Sequence, residues 1–427
     1  MKVLWFSLTP CGSIRKENKK VTHGSWMISL EDELKIREGL SLEVAYFSES
    51  PESPFVYNKV KYYPLCRNLF NNRKAISRII ERFIPQSRID RRTLPLILEV
   101  VRQSMPDIIH IHGTEESFGL IAKHIADIPI VFSIQGMIAP YKEKYFTGIP
   151  REYAFMYDSF FDRIKGVGIK KQYQSFSYRA QREIMYLREA RYVFGRTFWD
   201  RYCTLALNPQ RKYYIVNEIL RHEFYERKWK GFLSNKKIVL VSTISGGIYK
   251  GIEVILKTAS ILKKFGDIDF EWRIIGYTPS TKWVRISEKM TKIKAQNCNT
   301  VFCGRIDATQ LAETLCGSDI YVHVSHIENS PNSVCEAMMI GMPVIASYSG
   351  GTASLLQHGK EGILYQDGDP FVLAGAIIDM CQNPGKAREY AAAARNRALY
   401  RHNKEKILQE LLSGYNQVIT DFQNSKS

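Results

Sequence analysis

Short apolar runs alternate along this chain with longer stretches in which apolar residues recur every three or four positions. In the first half the runs are 3–8, 42–47, 107–112, 130–134, 192–195 and 213–216, and helical spacing covers 25–37, 74–84, 94–103, 118–125, 175–188 and 198–205. Strand-length runs separated by amphipathic helices predict a parallel sheet with helices on both faces. A second series follows, with strands at 238–243, 270–276, 300–304, 320–324 and 344–346 and helices at 252–264, 287–294 and 308–315. The pattern fails in two places. Residues 142–171 are aromatic and basic, as in a functional loop or short helices over a cleft. Residues 221–236 are charged and aromatic without periodicity, and mark a domain boundary. The expectation is therefore an α/β chain of two facing sandwich domains, 1–220 and 237–400, with a ligand cleft between them. A last helix, 404–422, has no strand to return to.

Composition changes this picture little. At 427 residues the chain is too long for one ordinary core, and 45% hydrophobic with 24% charged is a soluble globular balance. No run approaches the roughly 18 apolar residues of a membrane span. The start reads as a core strand rather than a secretory leader. Eight cysteines without metal or disulfide spacing fit reduced, cytoplasmic thiols. Charge is more informative. Thirteen of the seventeen excess positive charges precede residue 231, and they concentrate at Arg73, Lys74, Arg78, Arg82, Arg88, Arg91 and Arg92. Ile76, Ile79, Ile80, Phe83 and Ile84 recur at helical spacing among them. A basic amphipathic helix over 73–92 can lie on an anionic membrane surface, or it can be a domain helix with a solvated basic face. No nucleic-acid motif accompanies the charge, so no nucleic-acid partner is expected.

The candidate chemistry centres on residues 322–346, VHVSHIENSPNSVCEAMMIGMPVIA. They read as a buried strand, a polar loop, a helix, a tight turn and a second strand. Two carboxylates bracket the loop: Glu328 just past the strand, and Glu336 about two turns into an apolar helix. Ser330, Pro331, Asn332 and Ser333 open that helix, whose unpaired N–H groups and positive dipole end suit an anion. Carboxylates accept hydrogen bonds from hydroxyls, and a helix start accepts phosphate. A ligand with both is a nucleotide sugar.

Other loops converge on the same chemistry. Gly246 and Gly247 form a turn after strand 238–243, and Lys250 follows as a point charge before the next helix. The spacing is not that of a P-loop. Arg305 ends strand 300–304, able to meet a base or phosphate if it faces the cleft. In the first half, Gly12 ends strand 3–8 and could admit a diphosphate or acceptor. His112 ends strand 107–112 and is read as facing the cleft in preference to His110; Gln135 and Gly136 end the next strand. Two Asp-x-Asp pairs, Asp267/Asp269 and Asp367/Asp369, have the letters of a metal site, but they sit at a strand start and a turn and read as boundary residues. Neither a metal nor a cofactor is expected.

Glu328-x7-Glu336, in its order of strand, Ser-Pro-Asn-Ser, helix, Gly-x-Pro-Val, strand and Gly-Gly, resembles the donor-site signature of the retaining nucleotide-sugar glycosyltransferases of family 4. Residues 241–251 resemble their phosphate loop, and 107–113 their acceptor-side strand. The resemblance implies two facing Rossmann-like domains of GT-B type, with the donor held mainly by the second and the final helix crossing back to the first. It implies that Glu328 binds donor sugar hydroxyls, Glu336 the ribose hydroxyls, and Lys250 the diphosphate with amides near Asn332 and Ser333. It further implies transfer with retention of configuration from a UDP-sugar to a glycan or lipid-linked acceptor, as in surface polysaccharide synthesis on the inner membrane face. Two positions depart from the family. Thr243, Ile244 and Ser245 stand where an Arg commonly precedes the phosphate-loop Lys, and Gln135 stands where a His is common. A catalytically silent protein of the same fold that binds a nucleotide or glycan is the alternative.

Overall fold

The central apolar runs become strands buried on both faces, as central parallel strands must be, while runs 213–216 and 300–304 become partly exposed edge strands. A computed structural model describes residues 1–17, 25–67, 75–232 and 237–426. Its first sheet has eight strands: β1 (Lys2–Ser7), β2 (Ser41–Ser48), β3 (Phe55–Tyr57), β4 (Val60–Cys66), β5 (Ile108–His112), β6 (Ile130–Ser133), β7 (Tyr192–Gly195) and β8 (Lys212–Ile215). Their order is β3-β4-β2-β1-β5-β6-β7-β8. The second sheet holds β9 (Ile238–Thr243), β10 (Phe270–Ile275), β11 (Thr300–Gly304), β12 (Ile320–His323), β13 (Val344–Tyr348) and β14 (Ile363–Gln366), in the order β11-β10-β9-β12-β13-β14. Every pairing among the described strands is parallel except β3 with β4. That hairpin turns through Asn58 and Lys59, both at positive φ, the geometry of a tight two-residue turn.

Several elements escape the periodicity reading. The β3–β4 hairpin, β14 and the helices Pro370–Gln382 and Pro384–Arg401 have no counterpart in it. The basic stretch is not one helix: Ala75–Phe83 ends before Pro85, and Gln86–Ser104 begins after it. A proline opens the second helix because its missing N–H is unpaired there anyway. Arg73 and Lys74 lie outside the described residues. Asp90, within the basic stretch, pairs with Arg182 at 2.5 Å in the interior. The segment 142–171 folds as short helices, Arg151–Met156 and Phe160–Ile164, leading into Ile169–Leu187. Phe224, from the stretch read as a domain break, and Leu220, which that reading left in the first domain, are buried in the second core with Met338 and Leu355.

The last helix, Lys404–Asn424, packs on the first sheet. Ile407, Leu408, Leu411, Tyr415 and Val418 share a core with Val3, Trp5 and Ile108. Trp5 Nε1 donates to Tyr415 Oη at 3.1 Å, and His110 Nδ1 lies 2.6 Å from the same oxygen. The chain thus passes between domains twice, near 216–221 and again near 401–404. Both crossings meet at the fully buried Glu218. Burial pushes its carboxyl up, but Arg196 (3.5 Å) and Arg401 (4.0 Å) outweigh this and hold it at about 2. His402 Nδ1 lies 2.8 Å from the Glu218 carbonyl.

If the last helix completes the first core, Leu411→Ala leaves a cavity beside Val3 and Trp5. We expect a loss of about 2–5 kcal/mol, read as a lower urea midpoint for unfolding of that domain. An unchanged midpoint would show that the helix is not part of the core.

Candidate active site

The rule for open α/β sheets places ligands beyond the carboxyl ends of the strands where strand order reverses. In the second sheet those are β9 and β12. β9 runs into the Gly246–Gly247 turn, where both glycines adopt positive φ (66° and 69°) and a Cβ on Gly246 would meet nothing within 4 Å. The backbone there is open to an approaching anion. β12 runs into residues 325–330, the loop that carries Glu328.

That loop is pinned at nearly every residue. The His326 N–H donates to the Tyr249 carbonyl at 2.9 Å, joining it to the segment that follows the Gly246–Gly247 turn. The His326 ring bridges Glu253 (2.6 Å) and Asp367 (2.8 Å). The Glu328 carbonyl accepts from the Gly351 N–H at 2.9 Å. The Asn329 amide donates to Asp200 (2.9 Å) and to the Gln135 carbonyl (3.3 Å) of the first domain, and its oxygen accepts from Thr197. Ser330 donates to Glu218 at 2.7 Å. What remains is the Glu328 carboxylate, which forms an ion pair with Lys250. Both groups are mostly shielded from solvent. Tyr141, from the first domain, has its hydroxyl pushed up by burial and then by the Glu328 charge. Glu328 therefore faces the gap between the domains.

Asn332 is the first residue of the helix Asn332–Ile340, and its side-chain oxygen is buried without a hydrogen-bond partner among the described residues. Ser333 lies beside the buried Tyr321 hydroxyl. Glu336 is buried one turn in, not two as the sequence suggested, because the helix begins only at Asn332. Burial raises its carboxyl, and Arg221 lowers it through a two-pronged contact at 2.8 Å and 2.8 Å. Arg305 is exposed at the rim near Tyr277, whose hydroxyl donates to the Gly246 carbonyl at 2.8 Å.

Two first-domain expectations need correction. The Gly12 N–H is already taken, donating to Glu31 at 2.8 Å, and a carboxylate there repels a diphosphate. His112 does not turn to the cleft while His110 turns away. Residues two apart on a strand share a face, and the two rings stack at 3.7 Å inside the core beside Trp5. Burial drives both imidazoles well below their ordinary value. Gln135 contributes its carbonyl to the Asn329 contact.

Arg221 and Asn329 were missed from sequence. Arg221 had a signal: a carboxylate in so apolar a helix demands a cation, and Arg221 opens the stretch read as a break. Asn329 had none, because its partners lie over 120 positions away. Asp369 caps the helix Pro370–Gln382 through the Phe371 and Val372 N–H groups, and Asp367 is held by His326. Glu218, Cys335 and His402 bring ligand atoms within 4.8 Å of one another. Arg196 and Arg401 already neutralise that carboxylate, and burial pushes the Cys335 thiol up, so the trio suits no cation.

Two parallel α/β domains facing across a cleft, with the donor-type loop at the switch point of the second, define a GT-B architecture. The family model of glycosyl transferases group 1 matches residues 224–397, the second domain. It is 30% identical over 126 residues to N-acetyl-alpha-D-glucosaminyl L-malate synthase of Bacillus anthracis, covering 30% of this chain and 32% of that protein. It is 27% identical over 152 residues to the amylovoran biosynthesis glycosyltransferase AmsK of Erwinia amylovora, covering 34% and 36%. The matched part thus spans about a third of these relatives. Among solved structures, sucrose-phosphate synthase from Thermosynechococcus elongatus shares the fold with a TM-score of 0.71 at 14% identity, covering 99% of this chain and 100% of that one. Anabaena Alr3699/HepE, solved with UDP and glucose, gives 0.65 at 15% identity, covering 97% and 98%.

The His326 bridge has a pH signature. Burial lowers the imidazole, but Asp367 and Glu253 outweigh it and raise it from 6.5 to about 9. The stabilisation is therefore complete below pH 6.5 and lost as pH rises through 9. It amounts to something on the order of 3 kcal/mol. Denaturation midpoints at pH 6 and pH 9.5 should fall further in the wild type than in His326→Gln. Equal slopes would show that the ring is neutral.

Proposed function

We propose that this chain transfers a sugar from a nucleoside-diphosphate sugar, UDP favoured, to a hydroxyl of a glycan or lipid-linked glycan. The observation that carries the reading is the Lys250–Glu328 pair in the cleft at the ends of β9 and β12. Each half of that pair has a natural exchange partner in such a donor. The diphosphate takes Lys250, and the sugar hydroxyls donate to Glu328, so neither charge is stranded when the donor enters. Glu336, fixed by Arg221, keeps lone pairs for the ribose hydroxyls. The start of the helix Asn332–Ile340, with the Gly246 and Gly247 amides, faces the phosphates, and Arg305 stands at the rim toward the base.

Bond breaking at the anomeric carbon sends an electron pair to the departing diphosphate. Lys250, the helix dipole and the glycine amides stabilise that charge without reorganising. Both Asp-x-Asp pairs serve boundaries or His326, which supports a metal-independent reaction. Retention of configuration, with the acceptor entering on the face of the leaving group, is the stereochemistry this family resemblance favours, and it requires no dedicated nucleophile.

A peripheral membrane position suits a lipid-linked acceptor. No helix among the described residues is long and apolar enough to cross a membrane. Met156, Phe160 and Phe161 are 72%, 72% and 70% exposed, and Arg163 and Lys165 lie beside them. Arg82 Nη1 donates to the Lys165 carbonyl at 3.2 Å, so the helix Ala75–Phe83, with exposed Ile80 and Phe83, joins the same surface. Apolar tips among cations fit an anionic bilayer, in keeping with a cytoplasmic enzyme at the inner face that contributes to a surface polysaccharide.

Lys250→Ala and Glu328→Ala should each lower turnover at least tenfold, about 1.4 kcal/mol, with a UDP-sugar chosen by its upward shift of the wild-type melting temperature. Unchanged transfer in both variants removes these roles. Donor binding without turnover in the wild type would instead identify a silent binding protein.

A further inference from the structure

The first sheet has its own switch point, between β1 and β5, and the crevice beyond their carboxyl ends faces the donor loop. Glu115 is the third residue past β5. Its carbonyl accepts from Arg182 Nη2 at 2.9 Å, which fixes the backbone. Its carboxylate folds back over Gly113, where φ is +86° and a Cβ would stand 2.4 Å from Glu115 Oε2. The other oxygen lies 3.5 Å, and the Tyr141 hydroxyl 3.4 Å, from the place a Cβ on Gly136 would occupy.

Glu115 Oε2 is buried and has no hydrogen-bond partner among the described residues, and neither does the buried Nε of Arg179. Arg179 stands on the helix Ile169–Leu187, one turn before Glu183. Folded proteins rarely leave such atoms unmet, because each forfeits the hydrogen bonds it made to water. Here one carboxyl oxygen of Glu115, a group that burial pushes up to about 7, and a guanidinium N–H of Arg179 are both unmet on one wall of the cleft. Tyr249, from the opposite domain, is close enough to feel the charges of Glu328, Arg179 and Glu115. Its ring is 6.0 Å from that of Tyr145. Charged groups of both signs beside aromatic faces are what a sugar ring needs: edges rich in oxygen and an apolar face.

We propose that Glu115 and Arg179 form the acceptor subsite, Glu115 accepting a hydrogen bond from a hydroxyl of an acceptor sugar and Arg179 donating to an oxygen of the same ring. The inference rests on the sugar-transfer reading above. In the reaction the acceptor oxygen bonds the anomeric carbon as that carbon's bond to the phosphate oxygen breaks. The electron pair leaves with the diphosphate, and the acceptor's proton goes to the departing phosphate. Glu115 and Arg179 hold the acceptor and end the cycle unchanged.

The test uses the full chain, the donor chosen by thermal shift, and a panel of p-nitrophenyl monoglycosides as acceptors. Glu115→Gln should raise the acceptor KM at least tenfold while donor KM, UDP affinity and slow donor hydrolysis stay at wild-type values. Arg179→Met should do the same. An unchanged acceptor KM overturns the proposal, and so does loss of UDP binding or hydrolysis in Glu115→Gln, which would place the residue in the donor site or the fold. Failure of the sugar-transfer reading looks different: the wild type then binds no nucleotide sugar and glycosylates nothing in the panel.

Discussion

A single buried carboxylate organises the relation between the two domains. Glu218 lies on the first crossing, and it is ionised only because Arg196 of the first domain and Arg401 of the second crossing sit against it. An unpaired charge so deep would be strongly destabilising, so these segments must stay together. The same carboxylate receives the Ser330 hydroxyl from the donor loop. The requirement to neutralise one interior charge thus ties both crossings to the loop that carries Glu328.

The loop shows how rigidity and availability are divided. His326, Asn329 and Ser330 spend their polar groups on Glu253, Asp367, Thr197, Asp200 and Glu218. Between them, Glu328 alone points its side chain at a flexible partner, the end of a lysine. The loop is therefore held rigid by its neighbours, and the Lys250–Glu328 pair is the interaction left exchangeable.

How much of this was legible in the chain follows from the range of each interaction. The central strands and the Glu328–Glu336 bracket were readable because burial and loop chemistry are local. The β3–β4 hairpin was not, since its turn uses Asn58 and Lys59 at positive φ without the usual glycine. The helix Pro384–Arg401 was not, because alanines bury a face with little apolar contrast. His112 shows a period error: strand residues two apart share a side, so its fate was bound to that of His110. Gly12 shows a different limit. A glycine after a strand looks the same whether its N–H awaits a ligand or serves Glu31, nineteen residues on. Arg221 and Asn329 act through partners that only the folded chain brings near.

The contact of Trp5 with Tyr415 spans 410 positions, and it sets an order of events. The side of the first sheet that holds Val3 and Trp5 is closed by residues made after the entire second lobe. On the ribosome the earlier lobe must wait, one apolar flank uncovered, until that helix emerges. Its completion is therefore a late docking step rather than an early local one, and that open flank is where a chaperone would find the nascent chain.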